Sequence, residues 1–538
     1  MAKIKAGEPV GYDHVIIKGN LSLGQLGLET TPFCRGLSFG DDNLSSYDPI
    51  GSSTVYHIGN LTKIPSTIII TNSIINDNLE FDYAIFQNNI DFRETKFNGS
   101  VNFASSLLTQ NSNFESSQFS KAADFTYSRF NGKVSFVGSQ FSGKADFFES
   151  EFSKGANFWG SDFRADTDFR ISNFSGNTCF INSKFGGKAG FSRSQFNGPS
   201  DFEKTKFNGD AYFWDSGFSK DASFVGSEFS EYADFTASKF SGNALFRDSE
   251  FNGNTAFIRS QFKELSDFNF SRFNGNAYFW NSQFGKDAHF WYSKFSGDAS
   301  FSGSQFNKSA NFNNSIFNKI ADFPYSNFGS HSIFNECKFN KDANFRASIF
   351  KDSIQLKDID FDRIYLDWDK IEKVKKNFDG KVYLSLIESY KARGFFNDAD
   401  DCYRRFRIDQ LMQQSVFENP LTYLIDFGGW IFYGYGTRPD LPIIWSILVI
   451  TSIGLFFWRN TLSKAKKANQ GLISAEDWFC FSAAVFLSGT KFFVDPPKVP
   501  KPLEEPNPWI RRVFIAERIL GALFSILLIL AISRTLIR

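Results

Sequence analysis

From Phe81 to Phe350, phenylalanine returns in alternating steps of five and six residues without a slip; of the 50 positions in this frame, 49 are Phe and one, Leu108, is Leu. An insertion anywhere would break the register, so the fold must repeat every 11 residues. The frame runs back through Ile64, Ile70 and Ile75 and reappears at Ile17, Leu23 and Leu28, so the unit organises most of residues 15 to 360. One residue type has taken over the core: Phe occurs 70 times in 538 residues, Met twice and His four times.

An 11-residue period could belong to a supercoiled helix. At about 100° per residue, however, a five-residue step turns a helix by about 140° and sends alternate Phe to different faces. The segments between the rings, such as NGKVS, SGNT and NGDAY, are rich in Gly, Asn, Ser and Asp, which are poor helix formers. A flat strand fails as well, because a five-residue step reverses the face and a six-residue step does not. What remains is a chain that bends at a corner every five or six residues and always returns Phe to the inside. Ala123-Asp124-Phe125-Thr126-Tyr127 and Ser128-Arg129-Phe130-Asn131-Gly132 resemble successive copies of the pentapeptide repeat, A(D/N)LXX, with Phe in the central inward position and Ala or Ser two residues earlier. Lys133 is then an extra residue in every second copy, absorbed at an NG, SG or GK corner.

The resemblance implies a mainly β fold, a right-handed quadrilateral β-helix over residues 64–361, with Phe125, Phe130, Phe136, Phe141, Phe147 and Phe152 among its core. With two units per circuit, about 270 residues make ~12 circuits and a rod roughly 60 Å long at the ~4.8 Å strand spacing. Each circuit packs only on its neighbours, so both ends need covers. Residues 1–63 are expected to supply one, as a cap with the first irregular repeats, and the helical segment after residue 365 the other. Trp159, Trp214, Trp280 and Trp291 stand one position after core Phe residues and read either as side-wall residues or as a binding face for a protein partner.

After Asp362 the pattern becomes helical, and residues 362–419 read as a helical connector. KVYLSLIESYKARG predicts a helix stopped by Gly394, and NDADDCYRRFRIDQLMQQS a second, capped by Asn397 or Asp398, with Arg404 and Arg405 on a solvated face. The pair resembles a tetratricopeptide-like hairpin or is a plain capping hairpin. Residues 420–440, aromatic, Gly-rich and nearly uncharged, read as a segment lying at a membrane surface.

Within residues 441–538 two apolar stretches are long enough to span a bilayer, 441–458 and 513–532, the second carrying Glu517 and Arg518 near its start. Between them Trp478 to Leu487 is too short to cross; preceded by Ser474-Ala-Glu-Asp477, a capping box, it suits a re-entrant or buried helix over 474–487. The order span, re-entrant helix, span, together with AEDWFCFSAAVFLSGT and AERILGALFSILLILAISRTLIR, resembles a two-transmembrane potassium-channel pore domain. That resemblance implies a homo-oligomer, a tetramer around a pore, with Glu517 beginning the inner helix and Gly521 as its small residue. Where that family has TVGYG, this chain has Ser488-Gly489-Thr490-Lys491-Phe492-Phe493, so potassium selectivity does not carry over and Lys491 would oppose cation passage if it faced the pore. Glu517 reads in two ways, snorkelling at the interface with Arg518 or bonding to the pore helix.

Lys plus Arg and Asp plus Glu both total 58, which removes the uniform basic footprint of a nucleic-acid binder. The five cysteines form no ligand spacing, and His14, His57, His289 and His331 have no partner spacing. No phosphate loop or nucleophile elbow is present. The expectation is therefore a protein without enzymatic activity, metal or cofactor. MAKIKAGEPVGYDHV lacks an apolar signal region, which points to a multi-pass protein of the cell membrane with a cytoplasmic rod. Nine Lys and Arg residues between Arg459 and Arg512 argue for the opposite orientation. Two functions stand: ion conduction gated or scaffolded by the rod, or a non-conducting, membrane-anchored scaffold.

Overall fold

The computed structural model describes residues 2–23, 26–35, 57–468, 474–490 and 508–536. Two compact units divide the chain, Met1–Asp379 and Gly380–Arg538.

The first unit is a parallel β-solenoid of about 14 turns. Four sheets form its walls, three of 15 strands and one of 16. One coil shows the plan: Val134–Ser135 lies in the first sheet, Gln140–Phe141 in the second, Ala145–Asp146 in the third and Glu151–Phe152 in the fourth. Each strand pairs with the strand 22 residues away, as in Gln118↔Gln140 and Ala123↔Ala145.

Two kinds of corner connect the walls. In the five-residue step from Phe125 to Phe130, Tyr127 takes φ 61°, and Ser128 N–H donates to the Phe125 carbonyl at 3.1 Å. Asp124 Oδ1 accepts from Thr126 N–H at 2.9 Å, so the D/N of the repeat stabilises the bend. The left-handed residue recurs every 11 positions from Asn72 to Asp358 and is glycine only at Gly138, Gly160, Gly226 and Gly303. Elsewhere a side chain is held in a conformation that costs roughly 1–2 kcal/mol. The next residue helps to offset that cost: Ser128 is buried and its hydroxyl donates to the Phe103 carbonyl at 2.6 Å, one coil down. Ser139, Ser150 and Ser161 repeat the bond to Phe114, Phe125 and Phe136. Cys337 replaces serine once; its thiol reaches the Phe312 carbonyl at 2.9 Å, and burial pushes that thiol well above its ordinary pKa.

At the six-residue corner the extra residue expected at Lys133 is stitched to the coil below, its N–H donating to Asn111 Oδ1 at 2.9 Å. Here the coils approach closely. A Cβ on Gly132 would stand 2.2 Å from the Gln110 carbonyl carbon.

The core is four columns of rings. Phe125, Phe130, Phe136, Phe141, Phe147 and Phe152 are all at most 1% exposed, as the periodicity requires. Along a column the rings stack face to face, Phe119 on Phe141 at 4.5 Å and Phe125 on Phe147 at 4.9 Å. Across the axis they meet edge to face, as Phe125 and Phe136 do at 5.4 Å and 79°.

The solenoid is longer than the sequence pattern suggests. Val10–Asp13, Ile16–Ile17 and Leu21–Ser22, placed within the 1–63 cap, join three of the sheets through pairs such as Ile17↔Ile75. The fourth wall is extended by an antiparallel ribbon, Thr30–Arg35 against His57–Ile64. At the other end, Ile364–Leu366 and Lys375–Phe378, placed within the connector, are again solenoid strands. This is why about 14 turns replace the expected ~12, and the rod is roughly 67 Å long at ~4.8 Å per strand. The weak repeats at both ends carry Ile, Val or Leu where the middle has Phe. The covers are short helices: α1 (Ala2–Ala6), with Ile4 buried and Ser66 Oγ donating to its carbonyl at 3.4 Å, and α2 (Trp368–Ile371), burying Trp368 and Ile371.

The second unit is helical: α3 (Gly380–Ala392), α4 (Phe396–Gln413), α5 (Pro420–Tyr433), α6 (Asp440–Ala468), α7 (Ala475–Leu487) and α8 (Pro508–Leu536). The hairpin α3–α4 buries Val382, Tyr383, Leu386, Ile387 and Tyr390 against Ala399 and Cys402. Gly394, at φ +78°, makes the turn between them. Neither Asn397 nor Asp398 caps α4; the cap position is Phe395, and both residues lie inside the first turn.

Two outcomes follow for the rod. Phe213→Ala, which removes a ring stacked at 4.8 Å on both Phe191 and Phe235, is expected to cost about 3–5 kcal/mol, with hydrogen-exchange protection lost in the adjacent coils and kept in distant ones. Ile171→Gly relieves a β-branched residue held at φ 60° and is expected to raise the denaturant midpoint, by about 1 kcal/mol in stability.

Candidate functional site: the helical core around Glu517

The helices α6 and α8 are long and apolar enough to cross a membrane, over Asp440–Asn460 and Pro508–Arg534. They present Ile443, Ile444, Ile447 and Leu448, and Ile515, Ile519, Ile526 and Ile529, outward. Between them lies α7, only 13 residues and so about 20 Å long. Its start obeys the expected capping box: Asp477 N–H donates to Ser474 Oγ at 3.2 Å and Ser474 N–H to Asp477 Oδ2 at 3.3 Å.

Aromatic side chains join α7 to both neighbours. Phe457 of α6 meets Trp478 at 5.8 Å and Phe514 of α8 at 4.7 Å, and Phe481 meets Phe514 at 5.4 Å. Trp478, Phe481, Val485, Phe457 and Ile510 form one buried cluster.

Glu517 is fully buried beside this cluster. The snorkelling reading is overturned, because the Glu517 carboxyl turns inward and Oε1 accepts from the Ser482 hydroxyl on α7. Ser482 Oγ also lies 3.0 Å from the Ile450 carbonyl of α6, so one side chain touches all three helices. A carboxyl taken out of water is costly without such partners. Ser482 was not singled out in the sequence, where a lone serine within an apolar run carries no signal until its partner in space is known.

The other expected residues converge on the α7–α8 contact. A Cβ on Gly521 would stand 2.0 Å from the Phe486 carbonyl oxygen, and one on Gly489 would stand 2.2 Å from the Arg518 carbonyl oxygen. Each glycine lets the backbone of the other helix approach, the use small residues have in membrane helix packing. Ser488, Gly489 and Thr490 form a 3₁₀ turn that continues α7, with Ser488 fully buried and its hydroxyl donating to the Val485 carbonyl at 2.7 Å. Lys491, with Phe492 and Phe493, lies outside the described residues.

The far end of α8 is held elsewhere. Arg534 Nη1 donates to the Tyr435 carbonyl at 2.9 Å, and its guanidinium lies 4.2 Å from the Tyr403 ring of α4. The turn Gly434-Tyr435-Gly436 has three successive positive φ values, 56°, 55° and 83°. Arg404, expected on a solvated face, instead pairs with Asp401 at 2.6 Å and donates to Thr437 Oγ1 at 3.3 Å, tying α4 to this turn. Arg407 pairs with Asp426 of α5 at 2.5 Å.

The family model for pentapeptide repeats (9 copies) matches residues 81–129, 125–170, 172–217, 235–283, 257–304 and 290–334. The solenoid is thus a stack of pentapeptide repeats. All matched segments lie in the rod, so the likeness of the helical unit to a potassium-channel pore domain rests on its own residues. No curated protein and no solved structure matches the chain.

Gly521→Ala is expected to weaken the helical unit by about 1–3 kcal/mol in mixed-micelle unfolding, since the added methyl meets backbone. Gly428→Ala, whose Cβ would meet only the Phe432 ring at 3.6 Å, is expected to be neutral or stabilising. In a double-mutant cycle Ser482→Ala and Glu517→Ala should couple by about 0.5–3 kcal/mol.

Proposed function

We propose that this chain is a membrane protein in which a pentapeptide-repeat rod is carried by a two-span domain built on the plan of a potassium-channel pore domain. Four copies surround an ion path, and the rod, on the cytoplasmic side, gates or scaffolds it. The observation that carries this reading is the short capped helix α7 wedged between two apolar helices and tied to one of them through Ser482 and Glu517. A plain membrane hairpin has no use for such an element, and an acidic side chain placed within a span marks function more often than anchorage.

The outward isoleucines of α6 and α8 support a lipid surround, since water would penalise so much exposed apolar area. The helix α5 leads into α6 with Leu421, Leu424 and Ile425 exposed, which suits a helix lying in the membrane surface. The 3₁₀ turn over Ser488–Thr490 favours a second reading, a non-conducting membrane-anchored scaffold: its backbone packs on α8 of its own chain, whereas a selective filter lends its carbonyls to the ion.

The purified protein, reconstituted in planar bilayers under potassium, sodium and chloride gradients, is expected to give unitary currents and to migrate as an oligomer in detergent. Electrical silence under every gradient, from a protein monomeric in detergent, would replace the pore with the anchor.

A further inference from the structure

The four outward tryptophans divide between two corners of the rod, and one of those corners is unlike the rest. Where the first sheet turns into the second, Phe270 and Tyr292 occupy the left-handed position on adjacent coils, at φ 60° and 56°. Their rings stack at 5.5 Å and 3°, and Trp291 lies 4.9 Å from Tyr292 and 5.5 Å from Phe270. Trp291 is 39% exposed and Tyr292 48%, so the stack faces water. At its lower end the Arg247 guanidinium already sits 5.4 Å from the Phe270 ring.

Two residues beyond each corner aromatic, on the outer surface of the second sheet, stand Arg272 and Lys294. They are direct lateral neighbours in register and both are exposed. Neither makes an ion pair among the described residues; the acid on the next strand, Glu250, accepts instead from Asn274 Nδ2 at 3.1 Å. Lower on the same wall, lateral neighbours are complementary, Lys206 meeting Glu228 at 3.1 Å. Like charges placed directly across a strand pair cost stability, and here nothing on the chain's own surface neutralises them.

An exposed Trp–Tyr–Phe stack with arginine beside it has the composition of a binding hot spot, and the unneutralised cation pair fixes the sign of what it meets. We propose that this corner is the docking site for an extended acidic segment of a partner protein. Its carboxylates reach Arg272 and Lys294, and a proline or aromatic side chain lies on Trp291 and Tyr292. The site belongs to the rod alone and does not depend on whether the helical unit conducts.

A fluorescently labelled glutamate–tyrosine copolymer, titrated into the full-length protein in detergent and followed by anisotropy, tests it. Binding is expected, weakening as salt rises. Arg272→Glu with Lys294→Glu should weaken it about tenfold or more, and Trp291→Ala about tenfold, both with unchanged thermal unfolding because all three side chains are exposed. No binding, or equal binding by the charge-reversed protein, overturns the proposal. So does tighter binding of a single-stranded oligothymidine, which would make the corner a surface for nucleic acid, since stacked aromatics beside cations also suit bases.

Discussion

The rod depends on a coincidence of two lengths. Parallel strands held by backbone hydrogen bonds lie ~4.8 Å apart, and phenyl rings can stack at that same distance. Rings 22 residues apart therefore fall into face-to-face columns, from 4.5 Å between Phe119 and Phe141 to 5.1 Å between Phe136 and Phe158, without straining either ladder. The edge-to-face contacts across the axis fill the space between columns. A residue with a longer or branched side chain would fit the wall spacing less regularly, which is why Ile and Leu serve at the ends of the rod and Phe almost alone in its middle.

Returning a ring to the axis every five residues requires a left-handed corner, and this chain mostly forces ordinary residues into it. Tyr127, Glu149 and Ile171 adopt positive φ where glycine would be easier. The conformation persists because the following residue is tied to the coil below through a buried hydroxyl, as Ser150 is to the Phe125 carbonyl. Cys337 shows that the position asks for a small donor more than for serine itself. Freed of conformational duty, the corner side chains can vary, and that freedom is what allows an aromatic and cationic cluster to gather around Trp291.

In the helical unit the governing constraint is close backbone approach. Gly521 and Gly489 were legible as small residues at a filter-like position, yet their shared role, letting α7 and its 3₁₀ extension lie on α8, depends on which helix each one faces. Glu517 was legible as an anomaly in an apolar run. Its inward direction was not, because its partner Ser482 lies 35 residues away, across a connection without periodicity. Arg404 was misplaced for the same reason: Asp401 could be paired with it from helical spacing, but Thr437 belongs to a turn whose position no local pattern gives.

The fold class, the 22-residue coil, the inward Phe, Ala and Ser positions and the two long apolar helices were determined by the sequence alone, since strict periodicity converts local spacing directly into spatial neighbours. The number of coils, the short covers α1 and α2, the inward turn of Glu517 and the meeting of Phe270, Trp291, Tyr292, Arg272 and Lys294 were decided only by the tertiary structure. At the ends, in the helical unit and on the outer surface of the rod the repeat imposes no residue type, and there neighbours are chosen by packing between segments distant in the chain.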